Sequence, residues 1–144
     1  MRKRLIWIVV FVVALSACGI KKTYSPAQPK SNIVQIEIVD VHKWHEYVPG
    51  GTYEHDVICE IPEKNYDLFF KGLQNIPCKS YYGSPYNGFA EDTICITYSD
   101  GAFELVGEKS VYYETLKGEW TYPSYDMEYE AYINFLSAWK TMKQ

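Results

Sequence analysis

Residues 92 to 107 constrain the fold most tightly. Asp92 to Ser99 alternates apolar and polar side chains, Asp100-Gly101 follows, and Ala102 to Gly107 returns. A period of two is the signature of a strand, and Asp-Gly between two such runs favours a two-residue type I′ hairpin. That register sets Tyr98 opposite Phe103 and Ile96 opposite Leu105, on the side that reads as core. Thr97 then opposes Glu104, and Cys95 opposes Val106, on the other side. An antiparallel sheet is the framework on which the remaining segments must be placed.

Ile33 to Glu46 reads as a long first strand, with Val34, Ile36 and Ile38 on one face and Gln35 and Glu37 on the other. Pro49-Gly50-Gly51 is a turn signal. Thr52 to Ile61 gives a second strand, with His55, Val57, Cys59 and Ile61 on one side. A two-residue Gly50-Gly51 loop sets Trp44 opposite Val57 and His42 opposite Cys59. A bulge near Val39 or Pro49 would change that pairing.

Pro62 to Gln74 reads as a helix, because Tyr66, Phe69, Phe70 and Leu73 recur at helical spacing and Pro62 suits its first position. Gly72 weakens its last turn. Ile76 to Tyr82 reads as a strand and Gly83 to Glu91 as a surface loop. Ser110 to Glu114 continues the meander, Lys117-Gly118 turns, and Glu119 to Tyr122 adds a short strand. A second helix begins near Ser124 or Asp126, both good N-caps. Tyr125, Tyr129, Tyr132, Leu136 and Trp139 form its apolar stripe. Strands in runs, with helices to one side, predict an α+β fold: a mostly antiparallel sheet of about five to six strands with two helices packed on it.

The leading segment is of another kind. Arg2, Lys3 and Arg4 precede the apolar run Leu5 to Leu15, and Ser16, Ala17 and Cys18 are small. A basic head, a short apolar middle and a small-residue end make a secretory signal. The run is shorter than the ~20 residues that a membrane-spanning helix needs. Leu15-Ser16-Ala17-Cys18 resembles the lipobox of bacterial lipoproteins. The resemblance covers the signal only. It implies cleavage before Cys18, a diacylglyceryl group on that thiol, and residence at the cell membrane facing the extracytoplasmic side. Two acyl chains, at about 0.8 kcal/mol per buried CH₂, make a durable anchor. Residues 1–17 are then a signal peptide, residues 18–31 a lipidated cysteine with a flexible Lys- and Pro-bearing tether, and residues 32–144 one folded domain.

Both arginines, Arg2 and Arg4, leave with the signal. What remains has eleven Lys against eighteen Asp and Glu, a formal charge of -7. An acidic chain without Arg lacks the planar fork that grips phosphate and guanine, so nucleic acid is excluded as a partner. The membrane, through the lipid, is the expected partner, together with an envelope protein or glycan. The chain has fourteen Tyr. They suit half-buried strands, and an exposed subset beside acids suits ligand binding.

One cluster of residues looks chemical. His42, His45 and His55 lie near Asp40, Glu46, Glu54 and Asp56. Three imidazoles are a potential zinc set. The two-residue-loop register argues against it, since His42 and His45 point to opposite faces. In that register His45 faces Asp56 and His55 faces Glu46, so charge pairs account for both histidines. Cys59 opposite His42 would make a thiolate pair, but the surroundings are acidic and disfavour a thiolate. Ser80, Ser84 and Ser99 lie in no nucleophile-elbow context. Cys59, Cys78 and Cys95 leave open one disulfide or three buried thiols. The expectation is a non-enzymatic binding module without metal or cofactor beyond the lipid. The alternative is an envelope hydrolase or metal-binding protein centred on the His42–His55 hairpin, with Asp56 and Cys59 as further candidates.

Overall fold

A computed structural model describes residues 22–43, 54–80, 89, 91–121 and 125–142. In chain order the elements are β1 (Ile33–Lys43), β2 (Glu54–Glu60), α1 (Tyr66–Gln74), β3 (Cys78–Ser80), β4 (Thr93–Tyr98), β5 (Phe103–Val106), β6 (Val111–Glu114), β7 (Trp120–Thr121), β8 (Tyr125–Met127) and α2 (Tyr129–Thr141). The main sheet runs β2-β1-β4-β5-β6-β7, antiparallel at every pairing, and β3 with β8 forms a separate two-stranded ribbon. The fold is α+β, as the sequence pattern predicts.

Both helices cover the same face of the sheet. Phe69, Phe70 and Leu73 from α1 and Tyr132, Leu136 and Trp139 from α2 join Ile36, Ile38, Ile94, Ile96, Tyr98 and Val106 in one core. Phe69 lies 5.0 Å from Phe135 and 5.4 Å from Trp139, ring centre to ring centre. Gly72 belongs to this helix crossing: a Cβ there would stand 2.6 Å from the Phe135 ring. The second face has its own smaller core of Val39, Val41, Cys95, Leu105 and Tyr112 beneath Phe89.

The stripe of α1 is seated as its spacing predicts, with Tyr66 half-buried at its edge. A 3-10 turn at Glu63–Asn65 with Pro62 before it leads in. The second helix starts later than its caps suggest. Tyr125–Met127 pairs with β3, and Glu128 caps α2 by accepting from the Ala131 amide at 3.1 Å. Tyr129 consequently stands outside the core, 58% exposed.

Two registers differ from expectation. The Asp100-Gly101 turn is a three-residue loop: Gly101 N–H donates to Tyr98 O at 3.0 Å, Tyr98 N–H donates to Ala102 O at 2.9 Å, and Gly101 holds φ 82°. A turn followed by a left-handed glycine is the usual three-residue hairpin solution. Asp100 favours it by accepting from its own Ala102 amide at 3.0 Å. The pairs are therefore Ile96 with Glu104, Cys95 with Leu105 and Thr97 with Phe103. A one-residue slip turns a whole strand over. Leu105 and Phe103 go to the second face, while Val106 and Glu104 go under the helices.

The first hairpin is also shifted. Ile38, not His42, pairs with Cys59, and Val39 pairs with Val57, with irregularities at Ile38/Val39 and Val41/Lys43. The bulge near Val39 is the one that the sequence left open. His45, Glu46, the Gly50-Gly51 turn, Ser84 and most of the 83–91 loop lie outside the described residues.

Residues 22–31, expected to be flexible, lie on the fold. Lys22 forms a bridge to Cys78, Tyr24 is 1% exposed within the main core, and Ala27 and Gln28 hydrogen-bond to the sheet. Tyr24 supplies enough apolar area to hold the segment down, and composition alone does not reveal this.

Candidate functional site

His42 and His55, the described members of the histidine cluster, do not converge. Asp40 and Asp56 are direct cross-strand partners, a like-charge pairing that is unfavourable on its own. His42 compensates it. Its Nε2 lies 2.7 Å from Asp56 Oδ2 and its Nδ1 3.9 Å from Asp40 Oδ2. The hydrogen bond to Asp56, ahead of the Asp40 charge, raises the His42 pKa above its ordinary 6.5. His55 stands opposite Val41 on the other face, where its charge acts on Glu37. Asp56 is engaged by His42, and the expected His45–Asp56 and His55–Glu46 pairs involve residues outside the described ones. Among the described residues no group of three or more His, Cys, Asp and Glu is arranged to hold a metal ion.

Cys59 is buried at 3% exposure, and its thiol lies 3.8 Å from the Trp139 carbonyl. Four strand positions separate Ile38, its partner, from His42, about 13 Å along the strand. The proposed thiolate–imidazole pair is thus not formed. Cys59, Cys78 and Cys95 are all buried, and none of them is in a disulfide. Cys59 shares the helix-covered core and Cys95 the opposite one, so the sheet itself separates those two thiols.

Two other places hold polar chemistry. The first is Glu104, 1% exposed among apolar neighbours. Its carboxylate accepts from Tyr24 Oη at 2.9 Å, from the Ala27 amide at 3.0 Å and from Tyr98 Oη at 2.5 Å. Burial outweighs these donors and pushes its pKa up. On the second face Tyr112 donates to Glu114 in the same manner. The hydroxyls of Tyr98 and Tyr112 are in turn pushed above their usual range, first by burial and then by the neighbouring carboxylate.

The second place is a cleft of about 270 Å³ between the β4–β5–β6 ends and α2, lined by Glu91, Asp92, Thr93, Glu108, Ser110 and Tyr129 among others. Asp92 is the non-glycine residue at positive φ, 61°, among the described residues. Strain of this kind survives where the surroundings over-determine it. Lys140 Nζ grips its carboxylate at 2.5 Å, and Tyr132 Oη lies 2.9 Å from both the Asp92 and Val106 carbonyls. The exposed Tyr129 ring forms one wall. Neither the glutamate nor the cleft was legible as a site in the sequence. The glutamate's signal was the Asp-Gly turn read in its three-residue form.

Fold and site together define an α+β domain with a polar cleft at one end of its sheet. No protein-family model matches the chain, and comparison with characterised proteins and with solved structures finds no match either.

Proposed function

We propose that the protein is a lipid-anchored extracytoplasmic module that binds an envelope protein or ligand and performs no catalysis. The observation that carries the binding reading is the Asp92 cleft. It joins a strained, salt-bridged backbone position to an exposed tyrosine and several unaligned acids, a surface suited to a partly polar ligand. The most reactive candidates are occupied structurally: His42 sits between two aspartates and Cys59 packs beneath α2. The anchor rests on Leu15-Ser16-Ala17-Cys18.

A photo-crosslinking residue at Tyr129, in intact envelopes, tests the cleft. A discrete adduct that is absent with the same residue at Leu116 supports binding there. Equal or absent adducts at both positions refute it. Acylation of Cys18, read by mass spectrometry of the membrane fraction, tests the anchor separately.

A further inference from the structure

We infer that the lipid holds the domain in a fixed orientation, with the end bearing the β3–β8 ribbon and the cleft turned toward the bilayer surface. The inference rests on the anchored reading and extends it to the surface that meets the lipid.

Chain length sets this orientation. The fold reaches back to Lys22, which bridges to Cys78 on β3. Four Cα steps separate Cys18 from Lys22, a span of no more than ~15 Å. Lys22 also lies at a definite end of the sheet. Cys78 pairs with Met127, and the Met127 amide donates to the Glu108 carbonyl at 3.0 Å. Glu108 follows β5, so this end also holds Asp92 and the cleft.

From Lys22 the segment runs along the sheet. Tyr24 and Ala27 meet Glu104 in mid-strand, and Gln28 meets Asp100 at the far turn. The opposite end holds that turn and Leu116, whose side chain lies 3.3 Å from the position a Gly101 Cβ would take. Seven residues from Glu108 to Gly101 place the far turns roughly 20 Å further out.

Charge does not produce this orientation. Lys22 and Lys79 at the near end are matched by Asp126, Glu128 and Glu108. The leash does, and Glu104 sets its length. Were the segment to undock as far as Ile33, fifteen Cα steps would allow roughly 55 Å and the orientation would be lost.

The test uses the full chain, matured in a bacterial host and reconstituted into vesicles. Fluorophores are placed on Lys79→Cys at the near end or on Leu116→Cys at the far end, with the unsubstituted protein as labelling control. Nitroxide-headgroup lipid serves as the quencher. Strong quenching at 79, weak quenching at 116 and insensitivity to salt are expected. Adding Glu104→Leu should reduce the difference between the two positions at least twofold. Equal quenching at both positions in a protein with acylated Cys18 overturns the orientation and leaves the anchor standing. A protein whose Cys18 carries no lipid overturns both.

Discussion

The buried carboxylate of Glu104 gives the most demanding prediction. Glu104→Leu keeps the volume and strips the acceptor. Tyr24 Oη, Tyr98 Oη and the Ala27 amide then lose their partner. A buried donor left unmade costs about 1–3 kcal/mol. Removing a buried carboxylate returns part of this, so the net loss is about 3–5 kcal/mol. The loss has a ceiling, because residues 22–29 can leave the sheet and hydrate their donors. Undocking gives up the burial of Tyr24, a further cost of ~2–3 kcal/mol. Glu104→Leu is thus expected to loosen this segment before the sheet.

Glu104→Gln behaves differently. It retains an acceptor for Ala27 and sheds the cost of burying charge, so its effect at neutral pH is about 1 kcal/mol or less. The pH dependence separates the two further. Burial raises the Glu104 pKa above the ordinary 4.5, so the folded state holds the proton more tightly than the unfolded chain. The stabilisation this gives is complete below about 4.5 and is lost as pH rises through the folded value. Glu104→Gln should flatten that slope in urea denaturation followed by tryptophan fluorescence. Chymotryptic cleavage after Tyr24, read by mass, should accelerate strongly in Glu104→Leu. A Glu104→Leu protein within 0.5 kcal/mol of wild type, as small as an ordinary surface change, and with Tyr24 still protected, would refute the role given to Glu104.

Gly72→Ala should destabilise by about 1–3 kcal/mol through overpacking against Phe135, although helix propensity alone favours alanine by ~1 kcal/mol. Thermal unfolding should show the sign reversing in a Phe135→Ala background, where the obstructing ring is gone. The imidazole of His42 should titrate above 6.5 by NMR, and Asp56→Asn should lower its midpoint. Any stabilisation from this pair is present below pH 6.5 and lost as pH rises through the folded value. Lys140→Met should cost about 1 kcal/mol, since the Asp92 pair is partly screened, with exposures of 29% and 22%. The measurement is chemical denaturation, and increased hydrogen exchange at Asp92 should accompany it. Alkylation of the denatured, unreduced protein should modify Cys59, Cys78 and Cys95, and a missing pair would reveal a disulfide that the structure does not have.

Periodicity made the layers legible. The stripe of Phe69, Phe70 and Leu73 and the alternation along β4 follow directly from side-chain directions, and both are seated accordingly. On β1 Ile36 and Ile38 are seated as their alternation predicts, but Val34 is 57% exposed and Ile33 lies in the core instead, across an irregularity at Ile33/Gln35. Register was less legible, for a definite physical reason. Asp-Gly serves two-residue and three-residue hairpins alike, and Asp100's bond to the Ala102 amide is tertiary detail that composition does not encode. The difference of one residue decided where Glu104 went. The Gly50-Gly51 pair similarly carried no information about the irregularity at Val39. Residues 22–29 read as tether because their Pro and Lys content has no period. Tyr24 and Ala27 dock them on Glu104, with Gln28 reaching Asp100. Local pattern cannot reveal a contact between residues eighty positions apart.

The unusual composition has one physical consequence that joins these observations. Buried carboxylates commonly find an arginine, whose fixed charge pulls their pKa down. In this chain both arginines precede Cys18, and tyrosine is abundant. Glu104 and Glu114 are met by tyrosine hydroxyls instead. Burial and the neighbouring carboxylate push the Tyr98 and Tyr112 hydroxyls above their usual range, so both remain donors at physiological pH. A neutral donor satisfies the lone pairs without supplying opposing charge. The Glu104 carboxyl is accordingly pushed up rather than down. Tyr98→Phe removes a donor that favours the carboxylate, so it should raise that pKa further while costing about 1–2 kcal/mol. A fall in the Glu104 pKa in Tyr98→Phe, followed by carbonyl NMR, would show that charge rather than burial governs this acid.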